Sequence, residues 1–197
     1  LARLVIAEKL FMRIALAVAT SMLVALPVMA QSAGEVVAEE IDPKAYMGTW
    51  YEIARTPAPF QEQCTGGVTA TYELIDAETV RVTNRCDTEG RETQSATGEA
   101  KVVNGNFNTF DVAFAEGGHS PGVNYVVVAA SDIEDDQYQW AAVHSPQGPI
   151  GWILARSPRI EADARRQAAA ALAKAGIDVA QLTDTAQPPQ NYRPEQQ

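Results

Sequence analysis

The feature that most restricts the fold is a regular succession of short β-rich runs separated by turn residues, beginning near Ile41. Eight runs stand out: Thr49 to Arg55, Val68 to Leu74, Thr79 to Cys86, Ala96 to Val103, Phe107 to Phe114, Asn124 to Ala130, Tyr138 to His144 and Gly151 to Arg156. Residues that favour turns lie between them, such as Asp76-Ala77-Glu78, Asn104-Gly105-Asn106, Glu116-Gly117-Gly118 and Ser145-Pro146-Gln147-Gly148-Pro149. Every connection except the one after Arg55 is hairpin-short, so successive strands pair antiparallel with their neighbours in the chain. An open meander would leave two unpaired edges, and closure removes both. The expectation is an all-β protein: an eight-stranded antiparallel up-and-down β-barrel.

After the strands the period changes to that of a helix. Ser157-Pro158 can start it, Glu161 and Asp163 suit its positive end, and Gly176 stops it. Its apolar stripe is Ile160, Ala164, Ala168, Ala171, Leu172 and Ala175, mostly small residues that let one C-terminal α-helix lie close on the outside of the barrel. Ile177 to Leu182 is expected to add a short ninth strand. The domain is placed at 41–184, with a loose tail at 185–197.

At the other end, Met12-Arg13 leads into an apolar run from Ile14 to Val28 that ends at Val28-Met29-Ala30, the pattern of a signal peptide cut after Ala30. Residues 1–30 are therefore set apart, with 12–30 as the signal proper, and the small, acidic stretch 31–40 reads as a disordered leader. An uncleaved membrane anchor is the alternative, but the run is shorter than a membrane span. No cysteine follows the apolar run, so a lipid anchor is not supported and the expected location is periplasmic or secreted.

The chain has 197 residues and a formal net charge of −10. Setting aside residues 1–30 removes Arg3, Lys9, Arg13 and Glu8, which leaves 12 basic against 24 acidic residues. That surface repels phosphate backbones and anionic headgroups, which argues against nucleic acid as a partner and leaves only transient membrane contact open. Cys64 and Cys86 are the only cysteines, and in an oxidising compartment they are expected to pair as a disulfide. Two separate buried thiols are the alternative. A zinc site is poorly supported, because only His119 and His144 could complete it and neither stands at ligand spacing.

The segment from Asp42 to Arg55, Asp-Pro-Lys-Ala-Tyr-Met-Gly-Thr-Trp-Tyr-Glu-Ile-Ala-Arg, resembles the lipocalin family, and most closely its bacterial outer-membrane-lipoprotein and apolipoprotein D-like branch. The resemblance implies that a short turn plugs the bottom of the barrel, that Gly48 opens the first strand, and that Trp50 stands on the barrel floor. Gly151-Trp152-Ile153-Leu154-Ala155-Arg156-Ser157-Pro158 matches the family's last barrel strand, so Arg156 is expected to reach over Trp50. A guanidinium over an indole gains roughly 0.5 to 2 kcal/mol. Gly48, Trp50 and Arg156 are thus fold residues of the barrel floor rather than catalytic ones. Asn124 to Asp132 matches the family's remaining signature less cleanly, its Asp standing about one residue late.

If Leu74 opposes Val80, then Tyr72 opposes Val82, Ala70 opposes Asn84 and Val68 opposes Cys86, which brings Cys64 within reach of Cys86. The bridge would close a loop of about 23 residues, worth on the order of 3 kcal/mol. Strand parity then selects the lumen lining. From Trp50 it gives Glu52 and Ala54, then Ala70, Tyr72 and Leu74, then Val80, Val82 and Asn84, then Gly98, Ala100 and Val102. The later strands give Phe110, Val112 and Phe114, then Tyr125, Val127 and Ala129, then Trp140, Ala142 and His144, and last Trp152 and Leu154. Small residues alternate with aromatics, as in a chamber with space left in it, and isolated polar groups such as Tyr72, Asn84, Tyr125 and His144 suit an apolar ligand with one polar end. Thr56 to Gln63 is expected to form the mouth, with Phe60 as a cap.

The resemblance implies binding and storage or transport of a fatty acid or lysophospholipid, without cofactor or metal, by a monomer or weak dimer. An enzyme is the first rival, yet no G-x-S-x-G, H-E-x-x-H or Gly-rich phosphate loop is present, and Ser145 beside His144 reads as a strand end. A haem carrier using His144 is the second rival, and a partner-binding envelope protein the third.

Overall fold

In a computed structural model, residues 38–89, 92–114 and 121–187 are described. The expected signal segment, leader residues 31–37, the Glu116-Gly117-Gly118 turn, His119 and tail residues 188–197 lie outside the described residues. The order is α1 (Pro43–Tyr46), β1 (Gly48–Arg55), β2 (Gly66–Leu74), β3 (Thr79–Asp87), β4 (Thr93–Val102), β5 (Thr109–Phe114), β6 (Tyr125–Ala130), β7 (Trp140–Ser145), β8 (Ile150–Ala155), α2 (Ala162–Lys174) and β9 (Thr183–Asp184). Strands β1 to β8 pair antiparallel in chain order, and β8 pairs with β1, which closes the barrel. In the β2–β3 hairpin Leu74 opposes Val80, Tyr72 opposes Val82 and Ala70 opposes Asn84, as expected.

The floor is assembled before the first strand begins. The Asp42 carboxylate accepts from the Lys44 and Ala45 amides and starts the single turn of α1, with Pro43 at its first position. Gly48 then has φ +95, a conformation that favours glycine, and a Cβ there would stand 3.3 Å from Arg156 Nη1 and press on the guanidinium. Trp50 follows, fully buried, its indole N–H donating to the Tyr46 carbonyl at 2.9 Å. The Arg156 guanidinium carbon lies 3.7 Å from the centre of the Trp50 ring. Its Nε donates to the Tyr138 carbonyl at 3.1 Å, Nη1 to Thr49 at 3.1 Å and Nη2 to Ala45 at 2.8 Å. One planar fork thus joins α1, β1, the short Ile133–Glu134/Gln137–Tyr138 ribbon and the end of β8. Burial pulls the Arg156 pKa down to about 10, still far enough above neutrality to keep the cation.

Two apolar layers sit back to back across the wall. Inside are Trp50, Tyr72, Val82, Phe110, Val143 and Leu154 among others. Outside, Ile53, Val126, Trp140, Ala142 and Ile153 meet Ala168, Ala171 and Leu172 of α2. Alanines on α2 and a glycine on the strand permit this close packing: a Cβ on Gly151 would come within 3.1 Å of Leu172 and 3.2 Å of Ile177. The helix ends with Gly176 at φ +86, the Ile177 amide bonding the Leu172 carbonyl and the Gly176 amide that of Ala173, the paired bonds of a Schellman cap.

Several boundaries differ from the sequence expectation for physical reasons. The helix starts at Ala162, not at Ser157, because the chain leaves Arg156 on the floor and spends Ser157 to Glu161 turning back onto the outer wall. The ninth strand is Thr183–Asp184 rather than Ile177 to Leu182, pairing with Ala54 and Arg55 on β1. The expected seventh strand is split by Gln139, because Asp135 and Asp136 both take positive φ and fold the preceding residues into their own two-residue hairpin. Thr185, Ala186 and Gln187, grouped above with the tail, are bonded into the barrel: the Thr185 amide to Ile53, the Gly67 amide to Ala186, and the Gln187 side chain to Glu52 and Val68 carbonyls. Ala38, grouped with the leader, bonds the Val127 carbonyl through its amide and the Asn108 side chain through its carbonyl.

The β5–β6 ladder is short, with Thr109 opposite Val126 and Phe110 opposite Tyr125. Asn124 extends it by acting as a substitute peptide: its side-chain oxygen accepts from the Val112 amide and its nitrogen donates to the Val112 carbonyl, both at 2.8 Å.

Replacing Arg156 by Lys keeps the charge over Trp50 but removes the fork that reaches three carbonyls. Urea unfolding of Arg156→Lys is expected to show a loss of about 1–3 kcal/mol. A loss within experimental error would contradict the floor's dependence on the fork.

Candidate ligand-binding site

The barrel encloses a cavity of about 770 Å³ that opens toward the Thr56 to Gln63 loop. Its apolar wall comes from strand residues whose inward phase is fixed by the ladders: Ala70 and Tyr72 on β2, Val80 and Val82 on β3, Ala100 on β4, Phe110, Val112 and Phe114 on β5, Tyr125 on β6, and Trp152 and Leu154 on β8. Asn84 also lines it, and so does Phe60, which is 59% exposed at the entrance. Pro59 to Gln61 form a single tight turn, and the loop's base is pinned where the Thr56 amide donates to the Gly151 carbonyl at 2.9 Å and the Gly151 amide donates to the Thr56 hydroxyl at 3.0 Å. Cys64 and Cys86 are joined as a disulfide with Cα atoms 5.5 Å apart, tying this loop to the end of β3.

Of the expected lumen residues, Ala54, Leu74, Gly98, Val102, Val127, Ala129, Trp140, Ala142 and His144 do not line the cavity. Ala54 falls on the outer phase because a β-bulge between Glu52 and Ala54 reverses the alternation, pairing Ala54 with Ile153 of the outer layer. Leu74 is 40% exposed because β2 runs past the start of β1, whose Gly48 already opposes Tyr72. Trp140 and His144, with Ala142 between them, are one residue out of phase: Trp152 pairs with Val143 and Leu154 with Ala141, so Ala141, Val143 and Ser145 face inward. His144 opposes Gly151 and Val126 on the outer wall, near α2. Val127 does face inward, but it belongs to the packed part of the interior beside Ala141 and Val143 rather than to the cavity wall. Ala129 is moved to the outer wall by a second bulge, after Val127.

The mouth has a polar rim that strand parity alone did not disclose: Gln61, Gln63, Arg85, Gln94, Ser95, Ser145 and Gln147 all border the opening. Glu52, 4% exposed, is its most buried charge. Its carboxylate accepts from Arg55 Nη1 at 3.0 Å, Gln61 Nε2 at 3.0 Å and the Thr185 hydroxyl at 2.6 Å. A carboxylate this buried is tolerable only with such partners. Here it joins β1, the mouth loop and the C-terminal strap at the place where β1 and β2 diverge.

At the opposite end three phenols meet. Tyr46 of α1 and Tyr72 of β2 both bond the Tyr125 hydroxyl of β6, at 2.7 and 3.1 Å. Tyr46 and Met47, which border the cavity from below, were not among the expected lining residues, although the plug position of Asp42 to Met47 put them in reach. Burial pushes the Tyr72 phenol up to about 12, and holds Tyr46 and Tyr125 well above their ordinary value for the same reason.

A raised folded-state pKa means that the folded protein retains protons which the unfolded chain releases above its own pKa of about 10, so this stability is whole below that pH and falls as pH climbs through the folded values. Phenolate absorbance of the native protein is expected to rise later than that of the urea-unfolded chain, with the unfolding midpoint dropping between about pH 10 and 12. Superimposable titrations would contradict a buried phenol cluster.

The family model described as "Lipocalin-like domain" matches residues 41–187. The outer membrane lipoprotein Blc of Citrobacter freundii is 34% identical over 155 residues, 79% of this chain and 84% of that protein. Its counterpart in Escherichia coli K12 is 30% identical over 89% of this chain and 96% of its own length. Among solved structures, lobster apocrustacyanin A1 superposes with a TM-score of 0.59 at 16% identity, covering 75% of this chain and 80% of that one, a likeness of fold. The closed eight-stranded barrel, the Trp50–Arg156 floor and these matches converge: the chain belongs to the lipocalin family.

Proposed function

We propose that the protein binds a small apolar ligand, a fatty acid or lysophospholipid, inside the barrel and stores or carries it. The observation that carries this reading is the cavity. Its volume, about 770 Å³, lies within the roughly 300–1,000 Å³ typical of small-molecule sites. Its wall is aliphatic and aromatic, while Arg85, Gln94 and the other polar groups gather at the opening. An acyl chain would be buried against the wall, with a polar or anionic head at the rim beside Arg85.

Membership of the lipocalin family supports a carrier reading, and a mouse relative, 28% identical over 77% of this chain, is named apolipoprotein D. The haem alternative depended on His144 facing the lumen, and that residue sits on the outer wall instead. Export fits the apolar run Ile14 to Val28 and the Cys64–Cys86 disulfide. Among the described residues no helix is long and apolar enough to cross a membrane.

Titration with a fluorescent fatty acid tests the proposal. Trp152 lines the cavity, Trp50 lies in the floor and Trp140 belongs to the outer layer, so saturable quenching should come mainly from Trp152. Trp152→Phe is expected to remove most of the signal, Trp140→Phe to leave most of the quenching, and lysophospholipid to displace the probe. No saturable response to any fatty acid or lysophospholipid would overturn the reading.

A further inference from the structure

The mouth supplies polar partners for a ligand's head, but the deep end of the cavity is not uniformly apolar. Tyr46, Tyr72 and Tyr125 all border it, and their three hydroxyls are bonded in a row with Tyr125 at the centre. Three hydroxyls carry three protons, and two hydrogen bonds use two of them. Whichever way the bonds run, one O–H is left over. If both outer phenols donate, it belongs to Tyr125; if Tyr125 donates to one, it belongs to that one. Among the described residues the Tyr46 and Tyr72 hydroxyls bond Tyr125 alone, and no carbonyl or carboxylate takes the remaining proton.

The rings are held firmly. Tyr46 packs on Trp50 at 5.1 Å and on Tyr72 at 5.6 Å, and Tyr125 meets Phe110 and Trp152, each at 5.7 Å. The donor is therefore fixed in place and surrounded by apolar surface, where a hydrogen bond discriminates strongly between ligands that can complete it and ligands that cannot. Burial also keeps these phenols protonated across the physiological range. An anionic group would lose its hydration at this depth, whereas a neutral oxygen loses far less.

Resting on the carrier reading above, we infer that the Tyr46–Tyr125–Tyr72 row is a ligand subsite that selects molecules bearing a neutral oxygen, a hydroxyl or carbonyl, at the end that enters the barrel first. The ligand class is thus narrower than plain acyl chains: an amphiphile with a polar head at the rim and an oxygenated tail.

The test compares hexadecanoic acid with 16-hydroxyhexadecanoic acid, which share a head and a chain, by competition against a fluorescent fatty acid. The wild type is expected to bind the hydroxy acid at least as tightly as the plain acid. Tyr125→Phe should weaken the hydroxy acid about tenfold and change the plain acid by less than about twofold, since an unpaired buried hydroxyl is costly. Tyr72→Phe, which keeps the central hydroxyl, should fall between the two. If the wild type prefers the plain acid tenfold or more, or if Tyr125→Phe weakens both acids equally, the subsite is wrong while the carrier reading stands. Binding of neither acid while the fluorescent fatty acid still binds would overturn the subsite alone, and no saturable response to the fluorescent fatty acid, either acid or lysophospholipid by the folded wild type would overturn both. The wild-type ratio alone decides the matter if Tyr125→Phe does not fold.

Discussion

The structure depends on one stacked contact, the Arg156 guanidinium lying over the Trp50 indole at the closed end of the barrel. A barrel of eight strands has two ends, and a cavity within it can hold a ligand only if one end is sealed without filling the interior. Here the seal is made by a single helical turn whose carbonyls would otherwise be left unpaired. Arg156 reaches Ala45 in that turn and Thr49 at the start of β1, while the indole N–H satisfies Tyr46. The first strand and the last are thereby fixed to the same plug, which sets the register in which the sheet closes. Core residues form one layer inside the barrel and a second beneath α2, and the inner layer leaves a cavity of about 770 Å³ unfilled.

Much of this was legible in the sequence because the local signals agreed. Turn residues marked the hairpins, and Gly48, Trp50 and Arg156 resembled a known floor before their contacts were seen. The β2–β3 register followed from the short turn centred on Asp76, and it placed Cys64 near Cys86. What failed was parity where parity has no chemical marker. In β7 both faces are apolar, one against the interior and the other against the helix, so Trp-Ala-Ala-Val-His carries no alternation and a one-residue error exchanged Trp140 and His144 for Ala141 and Val143. The bulges after Glu52 and Val127 each add a residue that no turn signal announces, and each reversed the lining downstream of it. The polar rim was missed because its residues come from strand ends and loops, where alternation stops.

The place of His144 on the outer wall removes the histidine on which a haem reading rested, and the interior wall is mainly aliphatic and aromatic, with phenols at its base. Glu52 explains how the mouth is kept in shape where β1 and β2 part. Its carboxylate gathers the loop through Gln61 and the C-terminal residues through Thr185, so a charge buried in the wall acts as a clasp. The closed end is thus built from an aromatic cation stack, the open end from a disulfide and a hydrogen-bonded carboxylate, and the space between them is left for the ligand.

Filling that space shows whether the protein needs it open to bind. Ala70 and Ala100 both face the cavity, and the double substitution Ala70→Phe/Ala100→Phe adds two rings to its empty volume. The double variant is expected to unfold at nearly the wild-type urea concentration and no longer to bind a fluorescent fatty acid. A loss of several kcal/mol, as expected when about 1–3 kcal/mol of strain follows each overpacked residue of a solid core, or undiminished binding in the folded variant, would contradict this expectation.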